Sequence, residues 1–329
     1  MPNVLITGIT GQDGLYLAEH LLSKNYKVFG LIRGQNNPRR SLVENLLPNV
    51  ELITGDLSDI PSLVRALDIA TPDEIYNLGA ISFVAYSWEQ PLLTSEITGV
   101  GVLNLLESIK LWTRGDMSKI KFYQASSSEM FGKVQETPQS ETTLLWPRSP
   151  YGVAKAFGHH MTINYRESYG LKACSGILFN HESPRRGPEF VTRKISMGVA
   201  KIALGLQDKI VLGNLDARRD WGFAGDYVKA MWLMLQMDEP QDFVIATGQT
   251  HSVREFLARA FAKINISDWE KYVLTNAKYM RPAEVDVLVG DFSKAKKILN
   301  WEPSVDFDEL VDMMVRFDLE LLSAKDRNK

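Results

Sequence analysis

The sequence predicts an α/β protein in which a doubly wound parallel sheet is followed by a smaller mixed lobe. Through the first half of the 329 residues, short runs rich in β-branched side chains alternate with longer segments whose apolar residues recur at helical spacing. A glycine-rich turn follows the first such run, at residue 8. Strands that alternate with helices in this way pair in parallel through right-handed crossovers, and ligands of such sheets bind beyond the carboxyl ends of the strands.

The predicted elements follow in order along the chain. Strands are predicted at residues 4–7, 27–32, 51–54, 74–78 and 121–125. Helices are predicted between them at residues 14–24, 60–70 and 95–111. A turn-rich break at 184–188 precedes a helical stretch at 191–206, and an amphipathic helix is predicted at 307–322. We therefore predict one domain formed mainly by residues 1–180 and a lobe formed mainly by residues 181–329, with segments near 215–250 packing back on the first domain.

Composition and charge argue against several classes of partner. With 37 basic and 40 acidic residues the net charge is −3, so the chain has no global attraction for nucleic acid or for an anionic membrane. The first residues lack a basic leader, and no apolar run approaches the ~20 residues of a membrane span. The single cysteine, Cys174, leaves no internal disulfide and no cysteine-rich metal site. We expect a cytoplasmic protein without a bound metal.

The turn after the first strand predicts a dinucleotide site of the Rossmann type. Glycines let the backbone approach a pyrophosphate, and the helix N-terminus that follows stabilises the phosphate charge. A glycine triplet alone is also typical of a plain strand-to-helix turn, but its place directly after the first buried strand favours the binding interpretation. The candidate cofactor residues of this turn are Gly8, Thr10, Gly11, Gln12, Asp13 and Gly14.

The ends of the next strands indicate which dinucleotide binds. The second strand ends at Arg33 and offers no carboxylate to the ribose hydroxyls of NAD, whereas a guanidinium suits the 2′-phosphate of NADP. Asp56 follows the third strand, where a carboxylate accepts from the adenine amino group. Small residues after the fourth strand permit close packing on the cofactor. The remaining candidates at these strand ends are Leu57, Leu78, Gly79, Ala80 and Ser82.

Serines and a carboxylate follow the fifth strand, and a tyrosine and a lysine lie farther along at helical spacing. Ser127 and Glu129 belong to the first group. Tyr151 precedes Lys155 by four residues, so the two side chains share one face of a helix. The lysine ammonium is expected to lower the phenol pKa from ~10 and to make Tyr151 a usable base. Such pairs are common by chance, but the upstream serines and the glycine turn favour a catalytic site.

Long sequence blocks carry a resemblance to a known family. In the first half these are TGITGQDG, YNLGA, FYQASSSEMFG and PRSPYGVAK, and in the second half NYRESYG, ILFNHESP, FVTRK, RDWG and RPAEV. The chain resembles the GDP-mannose 4,6-dehydratases of the extended short-chain dehydrogenase/reductase class over nearly its whole length. These blocks are far more specific than the glycine turn, which many reductases and epimerases share.

The resemblance implies a reaction and further site residues. Tyr151, held by Lys155 and assisted by Ser127, would take the proton of the sugar 4-hydroxyl while NADP+ accepts hydride from carbon 4. Glu129 would then remove the proton of carbon 5 and protonate the departing 6-hydroxyl, and hydride would return to carbon 6. The implied cofactor residues also include His181 and Arg186. The implied residues for the GDP-sugar are Asn180, Arg193, Arg219, Arg281 and Glu284, of which Arg219 and Arg281 are the better candidates for phosphate contact.

The resemblance also implies a homo-oligomer, a dimer or a tetramer. The family often has two adjacent arginines after the second strand, whereas Gly34 follows Arg33 in this chain and Arg39 and Arg40 come later. Cofactor contacts across subunits are therefore an open question. Ser127 stands where relatives often have threonine, which preserves the hydroxyl.

Three alternatives remain open from the sequence. Another GDP-sugar, such as a GDP-manno-heptose, presents the same reacting carbons. A nucleotide-sugar epimerase or 4-keto sugar reductase needs Tyr151 and Lys155 but has no use for a carboxylate at Glu129. A non-catalytic module that senses NADP is disfavoured, because such a module has no reason to keep both Tyr151 and Lys155.

Overall fold

The computed structural model describes residues 1–34, 37–279, 283, 285 and 287–327. The strands are β1 (Asn3–Thr7), β2 (Lys27–Ile32), β3 (Glu51–Thr54), β4 (Glu74–Asn77), β5 (Lys121–Ser127), β6 (Lys172–Leu178), β7 (Asn180–Glu182), β8 (Ile210–Leu212), β9 (Arg218–Arg219), β10 (Trp221–Phe223), β11 (Phe243–Ile245), β12 (His251–Ser252) and β13 (Val273–Thr275).

The α-helices are α1 (Gln12–Ser23), α2 (Arg40–Leu46), α3 (Ile60–Ala70), α4 (Val84–Glu89), α5 (Pro91–Thr94), α6 (Gly101–Trp112), α7 (Pro150–Tyr169), α8 (Val191–Ala203), α9 (Ala224–Leu235), α10 (Val253–Ala262), α11 (Ser293–Leu299) and α12 (Phe307–Arg327). A π-helical turn covers Ser95–Val100, and 3₁₀ turns cover Ser128–Met130, Trp269–Tyr272 and Ala277–Tyr279.

Seven parallel strands form the central sheet, in the order β11-β6-β5-β4-β1-β2-β3. Val4, Leu5 and Ile6 of β1 are fully buried, so this strand is apolar on both faces. Parallel sheets lie beneath crossover helices on both sides, which explains why the strand runs show no polar alternation. The direction of winding reverses between β1 and β4, and such a reversal opens a ligand crevice at the carboxyl edge of the sheet. The doubly wound Rossmann-type sheet predicted from the sequence is confirmed.

Separate apolar cores form on the two faces of the sheet. On one face α1 and α9 pack together, with Leu15 and Met231 fully or almost fully buried. On the other face α3, α6 and α7 bury Leu63, Leu106 and Tyr165 against the strands. At about 25 cal/mol per Å² of apolar surface, burial of each such side chain contributes roughly 1.5–3 kcal/mol.

The C-terminal lobe has its own core, but the chain crosses back to the sheet. α8, α10 and α12 pack around a third cluster that includes Phe256. β11 pairs in parallel with β6, with Val244 opposite Ile177, and α9 lies on α1. Farther along, Trp301 joins the core between α1 and the sheet, and its Nε1 donates to the carbonyl of Asp226 at 2.9 Å. Because the chain returns twice after residue 180, no linear boundary separates the two parts.

The helical run Pro91–Trp112 is long and apolar enough to cross a membrane by length and composition alone. No run of this length is predicted from the sequence, because α5, the π-helical turn and α6 join into one helical run only in the structure. Half of the apolar window is buried inside the protein, where Leu105, Leu106 and Ile109 belong to the core beneath the sheet. That burial is typical of a core helix.

Candidate active site

A groove of about 800 Å³ runs along the carboxyl edge of the central sheet and continues under the C-terminal lobe. Most of the side chains that the sequence analysis singled out line it. They are Gly8, Thr10, Gly11, Gln12, Asp13, Gly14, Leu78, Ala80, Ser82, Ser127, Glu129, Tyr151, Lys155, Asn180, His181, Arg186 and Arg219. Among the described residues, no group of three or more His, Cys, Asp or Glu side chains has the arrangement of a metal site.

The glycine turn after β1 leaves no room for side chains. Gly8 has a φ of +72°, and a Cβ there would lie 2.8 Å from the backbone of Gly79 and Leu78. A Cβ at Gly14 would lie 2.5 Å from the carbonyl oxygen of Gly8. Gly11 precedes α1 and no side chain caps the first amides of that helix. A twelve-residue helix whose uncapped N-terminus faces the groove fits a pyrophosphate, so the site fits a dinucleotide cofactor.

Buried polar side chains hold this turn in register with the neighbouring strands. Thr7 Oγ1 donates to Asn77 Oδ1 at 2.6 Å, and Asn77 Nδ2 donates to Gln124 Oε1 at 2.8 Å. The amide of Gly79 donates to Thr7 Oγ1 at 2.9 Å. These bonds run across β1, β4 and β5, and they fix the ends of all three strands beneath the groove.

An ion pair joins the first helix to β7. Asp13 Oδ2 lies 2.8 Å from His181 Nε2, and His181 Nδ1 lies 2.7 Å from the carbonyl oxygen of Phe179. Burial opposes charge on both groups, but their mutual attraction outweighs it. The pKa of Asp13 falls to about 2, and the pKa of His181 rises above its ordinary value. Stacking of His181 on Tyr227, with ring centroids 4.6 Å apart, fixes the orientation of the imidazole.

The junction between β5 and α7 brings the candidate catalytic groups together. Ser127 Oγ accepts from the amide of Glu129 at 3.2 Å and so starts the 3₁₀ turn that carries the carboxylate. The start of α7 lies directly against this turn. The two backbones are so close that a Cβ on Gly152 would lie 2.7 Å from the carbonyl oxygen of Glu129. Only glycine permits that approach. Tyr151, directly before Gly152, is thereby buried in the same groove as Glu129.

The protonation of Tyr151 and Lys155 differs from the sequence expectation. Burial raises the pKa of Tyr151 to about 12, and hydrogen bonding to Ser127 opposes this only in part. Burial lowers the pKa of Lys155 to about 8. The expectation that the lysine lowers the phenol pKa was wrong. Lys155 Nζ donates to the carbonyl of Ala125 at 2.7 Å and lies 5.7 Å from the centre of the Tyr151 ring, so desolvation of the phenol prevails.

A second contact between α7 and β5 lies one turn beyond Lys155. His159 Nδ1 lies 3.0 Å from Ser126 Oγ, and Ser126 precedes Ser127 in the strand. Burial lowers the pKa of His159 from 6.5 to about 4, although Asp242 opposes the shift. The neutral imidazole therefore ties the strand that carries Ser127 to the helix that carries Lys155.

His159→Asn is expected to flatten the acid limb of the stability curve. The unfolded chain protonates His159 near pH 6.5 and the folded chain only near pH 4, so its contribution is full above pH 6.5 and is lost as the pH falls toward 4. Between pH 7 and pH 4, the free energy of unfolding should fall by about 3 kcal/mol more in the wild-type protein than in the variant. Denaturant unfolding at several pH values measures this. The exposed neighbour supplies the control, since His160→Asn should follow wild type. Parallel curves for wild type and His159→Asn would contradict the interpretation.

Cationic and aromatic side chains line the other end of the groove. Arg219 lies there with its NH1 donating to the carbonyl of Val285 at 2.7 Å, and Lys194 lies 4.0 Å from the ring centre of Tyr279. Asn180 and Trp221 contribute an amide and an indole. Cations beside aromatic rings suit a phosphorylated nucleotide, because guanidinium and ammonium groups bind phosphate while rings stack on a base.

Arg193, which was predicted to contact substrate, does not line the groove. Arg193 NH2 lies 2.6 Å from Asp318 Oδ1, and both side chains are almost fully buried between α8 and α12. The residue that lines the groove is Lys194, together with Phe190 and Val191. These positions share one face at the start of α8, and Arg193 points to the opposite side. Lys194 follows Phe190 by four residues and so shares its face of the helix, whereas Arg193 does not. This spacing was a signal in the sequence that could have favoured Lys194 over Arg193.

Other predicted cofactor residues do not line the groove. Arg33 is exposed at the end of β2. Asp56 Oδ1 accepts from the amide and the hydroxyl of Ser58, at 3.0 and 2.8 Å, in a local turn. Leu57 and Gly79 pack beneath the groove, where a Cβ on Gly79 would lie 2.9 Å from Leu57 Cδ1. The predicted substrate residues Arg281 and Glu284 lie outside the described residues.

Fold and site together define the class of protein. A doubly wound sheet, a glycine turn at its first strand, and a Tyr151–Lys155 pair beside Ser127 in one groove are the features of the extended short-chain dehydrogenases/reductases. The chain belongs to the GDP-mannose 4,6-dehydratase family, whose sequence profile matches residues 5–314. The carboxylate of Glu129 is buried in the same groove as this pair.

Similar proteins extend over nearly the whole chain. The GDP-mannose 4,6 dehydratase of Cricetulus griseus is 53% identical over 97% of this chain and 91% of its own. The GDP-mannose 4,6 dehydratase 2 of Arabidopsis thaliana is 53% identical over 96% of this chain and 87% of its own. Among solved structures, the UDP-glucose 4-epimerase of Thermus thermophilus, in complex with NAD, superposes with a TM-score of 0.83 at 28% identity, covering 96% of this chain and 98% of that one.

Proposed function

We propose that this protein is an NADP-dependent hydro-lyase that converts GDP-mannose to GDP-4-keto-6-deoxymannose. The observation that carries the proposal is the shared burial of Tyr151, Lys155 and Glu129 in one groove. Oxidation at carbon 4 of the sugar needs the tyrosine and lysine, and elimination of water needs a further group that acts first as base and then as acid. The names of the similar proteins support mannose as the sugar and GDP as the nucleotide.

The first step removes the proton of the sugar 4-hydroxyl. Tyr151 accepts this proton. A nicotinamide bound in the groove would supply the hydride acceptor for carbon 4 and the hydride donor for carbon 6. Because burial raises the pKa of Tyr151 to about 12, the phenol needs added positive charge to act as a base at neutral pH. A hydrogen bond from Ser127 stabilises the phenolate, and Lys155 would supply that charge once its ammonium approaches the phenol from its present 5.7 Å to the ring centre.

The second step eliminates water across carbons 5 and 6. A ketone at carbon 4 makes the hydrogen of carbon 5 acidic, so Glu129 as carboxylate removes it. The same side chain, now a carboxylic acid, donates its proton to the oxygen that leaves carbon 6. Glu129 therefore ends the step in its starting state.

The last step saturates carbons 5 and 6 again. As carbon 6 becomes reduced, Tyr151 returns its proton to carbon 5. The phenol and the carboxylate both regain their initial protonation, and one water leaves for each sugar that reacts. The proton balance thus closes inside the groove, without exchange with a separate acid.

The choice of NADP over NAD rests on charge at the adenosine end of the groove. No acidic residue ends β2, and Arg33, Arg39 and Arg40 follow within eight positions. A 2′-phosphate carries a double negative charge that such cations stabilise. Titration of the protein with NADPH and with NADH tests the choice, and equal affinities would contradict it.

Deuterium placed on carbon 4 of GDP-mannose tests the reaction itself. We expect a product lighter by one water, with the label on carbon 6 of the same sugar and no net reduction of NADP+. Parallel incubations with UDP-glucose and with a GDP-manno-heptose test the specificity of the enzyme for the nucleotide and for the sugar. A product with unchanged mass, or reduced cofactor in stoichiometric yield, would favour an epimerase or a reductase.

We also propose a cytoplasmic homo-oligomer. An apolar strip on α5, the π-helical turn and α7, which pack against one another, supports self-association, since Leu92, Val100, Val153 and Phe157 are 85%, 43%, 54% and 41% exposed. Contiguous exposed apolar surface of this kind is typical of a protein interface. Light scattering should give a dimer or a tetramer that Phe157→Glu dissociates, and a monomeric wild-type protein would contradict the proposal.

A further inference from the structure

Three arginines follow β2, and the structure places them differently. Arg33 and Arg39 are both exposed, but Arg33 does not line the groove. Arg40 Nε lies 2.9 Å from Glu44 Oε1, one turn along α2, so its charge is neutralised on that helix. Arg39 is the arginine of this segment that lines the groove, and its NH1 donates to the carbonyl of Thr10 in the glycine turn at 3.1 Å.

The bond to Thr10 anchors the Arg39 guanidinium without satisfying it. A guanidinium has five N–H donors in a planar fork, and a single neutral carbonyl uses one of them. In the described part of the chain no carboxylate lies within ion-pair distance of Arg39. Asp13, the acid of the glycine turn, is itself paired with His181. The remaining donors of Arg39 therefore carry an uncompensated positive charge at the edge of the groove.

The carbonyl that holds Arg39 also fixes where that charge lies. Thr10 stands between Gly8 and Gly11, in the turn that fits the pyrophosphate. The end of β2 adjoins this turn because β2 pairs directly with β1, with Leu31 opposite Thr7. In a doubly wound sheet the adenosine ribose of a dinucleotide lies over the end of the second strand. A cation at this position therefore meets the 2′-substituent of that ribose.

We propose that Arg39, and not Arg33, is the residue that binds the 2′-phosphate of the cofactor and makes the site select NADP over NAD. This rests on the proposed use of NADP. The guanidinium offers two parallel N–H groups to phosphate oxygens while its NH1 stays on Thr10, so the same side chain couples the phosphate to the glycine turn.

Binding measurements on the full chain separate the three arginines. Affinities for NADPH and NADH are measured by fluorescence titration, and 2′,5′-ADP and ADP compete as fragments with and without the 2′-phosphate. Arg39→Ala should weaken NADPH and 2′,5′-ADP about 10- to 100-fold, as expected for loss of hydrogen bonds to a charged group. NADH and ADP should change by no more than about twofold. Arg39→Lys should retain part of the selectivity, because it keeps the charge but loses the fork.

Arg40→Ala is the matched control, since it removes an arginine of the same segment whose charge is already paired with Glu44. It should leave both affinities unchanged, and Arg33→Ala should lose far less NADPH affinity than Arg39→Ala. If Arg33→Ala weakens NADPH binding more than NADH binding and Arg39→Ala does not, the assignment is overturned. Equal weakening of NADPH and NADH by Arg39→Ala also overturns it, because the side chain would then only support the glycine turn. Wild-type protein that binds NADH as tightly as NADPH is a different result, and it refutes the proposed cofactor itself.

Discussion

Glu129→Gln is expected to bind the nucleotide sugar and to oxidise carbon 4, but to release almost no dehydrated product. Glutamine keeps the shape of the side chain and cannot take the proton of carbon 5 or donate one to the leaving oxygen. Loss of a general acid-base group of this kind costs about 10²- to 10⁴-fold in rate. The loss falls on kcat, because the side chain is proposed to act after the sugar is bound.

The environment of Glu129 makes this variant informative. Its side chain is 6% exposed and lies on the 3₁₀ turn that the Ser127 hydroxyl caps, so the substitution changes the chemistry of a fixed position. Tyr151→Phe is expected to give a different defect, since removal of the phenol prevents the first oxidation. A single turnover separates the two variants. Glu129→Gln should accumulate reduced cofactor and Tyr151→Phe should not.

The same groove supplies a control carboxylate. Glu189 lines the groove and is exposed, and it has no part in the proposed reaction. Glu189→Gln should turn over within a few fold of wild type, with an effect far smaller than that of Glu129→Gln. Near wild-type turnover by Glu129→Gln would remove the reason for preferring a dehydratase over an epimerase.

Arg193→Met is expected to destabilise the fold by about 3–5 kcal/mol, the usual cost of removing one partner of a buried ion pair. Asp318 is fully buried, and it would remain with the hydroxyl of Ser196 at 2.6 Å and no cation. Methionine preserves much of the apolar stem, so the lost charge dominates. Denaturant unfolding measures the change, and the KM of the folded variant for GDP-mannose should stay near the wild-type value.

The double variant Arg193→Met/Asp318→Leu tests whether the unpaired carboxylate of Asp318 causes this loss of stability. Replacing both charges with apolar side chains removes the uncompensated carboxylate, so stability should recover substantially. Arg193→Met that unfolds like wild type but shows a greatly raised KM would restore Arg193 to the substrate site. That outcome would show that the ion pair with Asp318 opens when the sugar binds.

Much of the first half of the fold could be predicted from local pattern. The predicted strand at 27–32 and helix at 60–70 coincide with β2 and α3, because buried parallel strands and amphipathic helices differ clearly in period. β6 was not predicted. It has the sequence KACSGIL, in which Ser175 and Gly176 obscure the strand pattern, and the large buried Tyr123 beside Gly176 explains the glycine.

The candidate site was predicted unevenly, and the reason is geometric. Tyr151 and Lys155 could be paired from their spacing, and the glycine turn from its place after β1. The sequence shows that an arginine is present but does not show which way it points. Arg193 points into a core and Lys194 into the groove, one residue apart on α8. A rotation of about 100° per residue separates them, and only the packing of α8 on α12 decides which residue faces outward.

The sequence by itself determined the class of this protein, because local patterns and long family-specific blocks are written in consecutive residues. Tertiary structure decided everything that depends on the surroundings of a side chain. Burial, and not Lys155, controls the pKa of Tyr151 in the protein alone. Asp13 pairs with His181 across 168 positions, and Arg39 reaches Thr10 across 29. Charges and hydrogen-bond partners lie close in space but far apart in sequence, so the fold must bring them together before their chemistry is defined.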